Sequence, residues 1–76
     1  MIDSAQSRAA RGLLNWNQDE LAKRATIGVA TVRKFENGVH MLHRNNMTAV
    51  IRAFEDAGIK FLGRNKSGGP GVRLKK

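Results

Sequence analysis

The chain has 76 residues, with fourteen Lys and Arg against six Asp and Glu, a net charge of +8, and no cysteine. That length makes one small domain, and the missing thiols exclude a disulfide framework and a Cys-based metal site. The charge is uneven: residues 1–59 carry eight basic and six acidic residues, residues 60–76 six basic and none acidic. Such a balance favours a polyanionic partner such as nucleic acid. No stretch of about 18 apolar residues and no signal-peptide pattern is present, which points to a cytoplasmic protein with no membrane partner.

Met1 to Leu14 reads as a first helix. Ile2, Ala5, Ala9 and Leu13 recur at helical spacing, Asp3 or Ser4 supplies a cap, and Arg8 and Arg11 fall on the other side. Trp16, the only tryptophan, either packs over the end of this helix or stacks on a base.

Two short helical patterns follow, Gln18 to Ala25 and about Val29 to Asn37. Asn17 is a good N-cap with Glu20 at the capping-box spacing. Leu21, Ala22 and Ala25 share one face, as do Val32 and Phe35. Helices this short are marginal alone, so they must pack on each other and on the rest. Two of them joined by a tight turn suggest a helix-turn-helix, whose second helix can enter a DNA major groove. At roughly 100° per residue, Val32 and Phe35 define the buried side of the second helix. Ala30, Arg33, Lys34 and Asn37 cluster opposite, with Val29 toward the edge and Glu36 off to the side, nearer the core. The outer face is basic and free of acid; an ordinary solvated face is the alternative.

Gly38 terminates that helix in a left-handed conformation. Val39 to Arg44 is a loop with buried apolar residues. His40 and His43, without Cys or a nearby carboxylate, make a poor metal site. Asn45 or Asn46 caps a further helix to about Ala57, with Met47, Val50, Ile51 and Phe54 inward and Gly58 at its end. Ile59–Leu62 and Gly71–Lys75 then alternate with period two around a Gly-rich turn. Ile59, Phe61, Val72 and Leu74 suit the inner face of a hairpin, with Lys60, Arg73 and Lys75 outside; a disordered basic tail is the alternative.

The segment Gln18–Asn37 resembles the helix-turn-helix of the Cro/C1-type phage repressors, the Xre family. The residues that carry the likeness are Gln18, Ala22, Thr26, Val32 and Phe35, at positions the family fills with Gln, a small residue, Gly and aliphatic residues, and the closing Phe35-Glu36-Asn37-Gly38. The resemblance spans roughly residues 5 to 60. It implies a mainly α fold: a small four- or five-helix bundle like that of the lambda repressor, with a C-terminal hairpin or basic tail. A DNA-binding domain over residues 1–58 and a basic segment over 59–76, a candidate dimerisation element, follow from it. Two residues depart from the pattern. Thr26 stands where the family has Gly for a positive φ, so either the turn is built differently or it stores about 1–3 kcal/mol of strain. Gly28 stands where Ser or Thr often caps the recognition helix, and offers no hydroxyl to a phosphate.

These readings point to a sequence-specific double-stranded DNA-binding regulator, acting as a homodimer, without a cofactor. Val29, Ala30, Arg33 and Lys34 are candidates for base edges, Arg33 first, bidentate to guanine. Gln18, Gly28, Thr31, Asn37, His43 and Arg44 are candidates for phosphate, some of them on the resemblance alone. The alternatives are an antitoxin-like or partner-binding module, marked by an exposed apolar patch around Val39, Met41 and Leu42, and a non-specific nucleic-acid binder acting through the basic tail. Ser4, Ser7, Ser67, His40 and His43 form no nucleophile constellation, so no enzyme is expected.

Overall fold

A computed structural model describes residues 1–66 and 68–75. Ser67 and Lys76, which belong to the serine set and the basic segment above, lie outside the described residues. Four helices, α1 (Ser4–Leu14), α2 (Gln18–Ala25), α3 (Val29–Glu36) and α4 (Arg44–Asp56), precede strands β1 (Ile59–Leu62) and β2 (Gly71–Leu74). The bundle thus takes the four-helix form, and the basic tail is a hairpin.

The first helix starts at Ser4 rather than Met1. Asp3 is its N-cap and completes a capping box: Asp3 Oδ1 accepts from the Gln6 amide at 2.7 Å, and Gln6 Oε1 accepts from the Asp3 amide at 3.0 Å. A helix cannot extend N-terminally through a residue whose backbone is extended, as that of Asp3 is. Its buried face also differs from the alanine stripe. Gln6, Ser7 and Ala10 point inward, whereas Ala5, Ala9 and Leu13 are exposed. Alanine contributes little area, and Gln6 and Ser7 find hydrogen-bond partners inside, so the polar side is the one that docks. Arg8 and Arg11 accordingly face α3 rather than pointing away from the core.

The core is a single cluster: Ile2 before α1, Leu21 and Ala25 of α2, Val32 and Phe35 of α3, Met47, Val50 and Phe54 of α4, and Ile59 of β1. Phe54 is its centre, fully buried. Trp16 stacks on one side of it at 5.6 Å between ring centroids, and Phe61 meets it edge-on at 5.7 Å. Trp16 is therefore a packing residue, capped by the Arg24 guanidinium 4.8 Å above its ring. Such a contact is attractive because the ring face carries partial negative charge.

Helix α4 begins at Arg44, one or two residues before the asparagines, with His43 as an N-cap that makes no side-chain bond. Of the preceding loop only Leu42 is buried; Val39 and Met41 are 61% and 80% exposed, contrary to a loop with its apolar residues inside. Gly58, at φ 101°, turns the chain into β1.

The hairpin is antiparallel, with Ile59 opposite Leu74, Lys60 opposite Arg73, Phe61 opposite Val72 and Leu62 opposite Gly71. Ile59, Phe61 and Val72 face inward as their spacing requires. Leu74 is 41% exposed, although it shares the inner face with its partner Ile59, which is fully buried. The other end is fastened to α1: Gln6 Nε2 donates to the carbonyls of Leu62 at 3.2 Å and Gly71 at 3.0 Å. No described helix is long and apolar enough to cross a membrane.

Candidate nucleic-acid interface

Helix α2 opens on Asn17, whose side chain accepts from the Glu20 amide at 2.8 Å, while Asp19 and Glu20 sit at the positive end of the helix dipole. It closes on Thr26 in the left-handed region, φ 58° and ψ 46°. The turn is thus built as the family builds it, and Thr26 bears the cost of a β-branched residue there. The Ile27 amide bonds to the Ala22 carbonyl at 3.0 Å and fixes the turn. Gly28 then caps α3 with ordinary extended backbone and no side-chain bond.

Three inward positions, Val32, Phe35 and Glu36, anchor α3. Glu36 is the unexpected one. It is 1% exposed, and its carboxylate gathers both preceding helices. Arg11 Nη2 approaches Oε1 at 2.7 Å and Arg11 Nε approaches Oε2 at 2.9 Å, a two-pronged ion pair. Ser7 Oγ donates to Oε2 at 2.6 Å and Gln18 Nε2 to Oε1 at 3.1 Å. Arg8 donates to the Glu36 backbone carbonyl, and Arg11 Nη1 to that of Trp16. Burial pushes the Glu36 carboxyl up, but the hydrogen bonds from Arg11, Ser7 and Gln18 and the charge of Arg11 outweigh it and hold the group below its ordinary value. The group is ionised at neutral pH and has its lone pairs filled.

That anchor turns the opposite side of α3 to solvent. Ala30, Arg33, Lys34 and Asn37 are exposed, and neither cation is ion-paired among the described residues. Val29 is half-buried, packed against the core, which leaves part of it for contact. Thr31 flanks this face. It lines a shallow groove with Lys34, His40, His43 and Asn46, so the structure brings Thr31 and His43 together beside α3. Arg44 is exposed at the first position of α4, and Asn37 is the C-cap of α3. Gln18 lies half-exposed at the start of α2 with its amide turned to Glu36.

This arrangement is a helix-turn-helix with a solvent-facing, acid-free second helix, and the helix-turn-helix family profile matches residues 8–55. The chain belongs to the Cro/C1-type helix-turn-helix family. No curated protein matches it. The family is one of DNA-binding domains rather than enzymes, so this helix-turn-helix protein is a DNA-binding one. No group of three or more His, Cys, Asp or Glu that could hold a metal ion occurs among the described residues.

Ser7 and Arg11 escaped the sequence reading because their partner lies 29 and 25 positions away. One signal was available. A carboxylate only about 40° from Val32 on the helical wheel falls on the buried side, and a buried carboxylate requires a cation.

Proposed function

We propose that the protein is a sequence-specific regulator of transcription that lays α3 in the major groove of double-stranded DNA and acts as a homodimer in the cytoplasm. One observation carries the proposal: Val32, Phe35 and Glu36 are clamped inward, which leaves Ala30, Arg33, Lys34 and Asn37 as an exposed face without acid. Arg33 reads guanine through its fork of donors. Lys34 is the second base reader, and Val29 and Ala30 meet thymine methyls. Gln18, Gly28, Thr31, Asn37, His43 and Arg44 ring the helix and meet phosphates, which set register rather than sequence. The backbone amides of Gly28 and its neighbours replace the hydroxyl that this cap lacks.

Two copies would read half-sites about one helical turn apart. The pairing surface in this reading is the apolar strip of Met1, Val39, Met41 and Leu62, all exposed. Arg64, Asp3 and Glu55 lie on its rim. The same strip favours the partner-binding alternative, in which a different protein covers it.

The test is a gel shift with the DNA upstream of the protein's own coding region against scrambled DNA at physiological salt. Selective retardation is expected. Arg33→Ala is expected to cost about 1–3 kcal/mol on the selected site and to relax preference at one base pair. Equal losses on both DNAs would make Arg33 a phosphate contact, and no retardation of either would favour the partner-binding module.

A further inference from the structure

We propose that the outer face of the β1–β2 hairpin is a second nucleic-acid surface, one that holds the phosphate backbone of a duplex without reading its sequence. It rests on the DNA-binding reading above but on different residues. The register sets Lys60 directly opposite Arg73. Both are exposed, because Ile59, Phe61 and Val72 take the inner face. Like charges directly across a two-stranded ladder weaken it, and residues 59–76 themselves contain no acid to offset them. Among the described residues the ion pairs are Arg11–Glu36 and Arg24–Glu20, neither of which touches the hairpin. Arg64 and Lys66 add two more exposed cations beside the turn. Lys75 reaches back to the Glu55 carbonyl at 3.3 Å, which keeps its charge on the same end of the molecule.

A ribbon that repels itself is relieved by a polyanion. The chemistry of the face selects which one. Phe61 is turned inward onto Phe54, so the hairpin presents no aromatic platform on which single-stranded bases stack. Flexible cations facing solvent match duplex phosphates and carry no base code. Strand β2 touches α1 and β1 touches α4, whereas α3 packs on α1 and α2. The two surfaces are therefore built on different elements.

The full-length double variant Lys60→Gln/Arg73→Gln tests this by fluorescence anisotropy on a long random-sequence duplex across a salt series, beside wild type and Arg33→Ala. The expected result is a log–log salt slope shallower by about 1.8, since each lost phosphate contact removes about 0.9. Random-duplex affinity falls roughly tenfold at low salt, and the melting temperature stays level or rises because the like-charge pair is gone. Arg33→Ala leaves that loss untouched and alters the ratio of selected-site to random affinity. Failure of the sequence-reading proposal therefore shows in that ratio, and failure of the hairpin proposal shows in the slope. An unchanged slope with unchanged random-duplex affinity overturns the proposal and makes the cations edge protection against strand pairing. A fall in melting temperature that accounts for the affinity loss also overturns it. So does wild-type binding to anionic phospholipid vesicles that matches duplex binding and is lost in the double variant.

Discussion

The helix-turn-helix and the C-terminal hairpin treat charge in opposite ways. In the first, one carboxylate is buried and surrounded by donors from α1 and α2, so that Glu36 ties three helices together. In the second, at least four cations stand in water without a counter-ion among the described residues. The hairpin is held instead by neutral contacts, the Gln6 amide and the Phe54–Phe61 edge. A compensated charge inside fixes geometry, and an uncompensated charge outside is available to a partner. The difference assigns shape to one region and reach to the other.

Removing the compensation is the largest perturbation available. Glu36→Ala leaves Arg11, whose side chain is 18% exposed, without its partner, and breaking such a pair costs about 3–5 kcal/mol. A chain of this size is stable by only about 4–11 kcal/mol, so urea denaturation is expected to show a strongly lowered midpoint. Acid gives an independent check. The folded-state value of Glu36 lies below its ordinary 4.5, so the native state favours the ionised form. Its contribution is present above pH about 4.5 and is lost as pH falls through the depressed value. Wild type is expected to lose stability on that limb, and Glu36→Gln to show a flatter one.

The matching change in the hairpin is smaller and local. Gln6→Ala strands the carbonyls of Leu62 and Gly71 and removes half of the capping box, a loss of about 1–2 kcal/mol. Hydrogen exchange is expected to quicken at the β1–β2 amides and to stay unchanged in α2 and α3. Equal quickening in all of them would mean that the two regions unfold together.

Two substitutions in the turn sharpen the contrast further. Thr26→Gly relieves a positive φ of 58°, with an expected gain near 1 kcal/mol and a melting temperature higher by about 4–8 °C. Gly28→Ser is gentler. A Cβ there meets Thr31 Oγ1 at 3.8 Å, an ordinary contact, so the hydroxyl can cap α3. A gain of a few tenths of a kcal/mol is expected, together with tighter binding to any DNA, read by anisotropy.

What the sequence made legible follows the same division. The caps at Asn17 and Gly38, the α3 face around Val32 and Phe35, and the alternation at Ile59 and Phe61 are all written within a few residues of the place where they act. Local pattern therefore recovers the helix-turn-helix and the hairpin. The docking face of α1 is not legible in its local pattern, because Ala5 and Ala9 repeat like a core stripe while Gln6 and Ser7 are drawn inside by groups 29 to 65 positions away. Glu36 was placed near the core, but the donors that make it a hub come from two other helices. Leu74 shows the converse: its period is right, but the neighbour that would cover it is absent among the described residues.

The Gln6 clamp also sets an order of assembly. Its two acceptors lie 56 and 65 residues downstream, so the clamp can form only after both hairpin strands have been made. Strand β2 closes the domain by joining the hairpin to α1, and a chain stalled before Gly71 would leave the Gln6 amide short of one of its two acceptors.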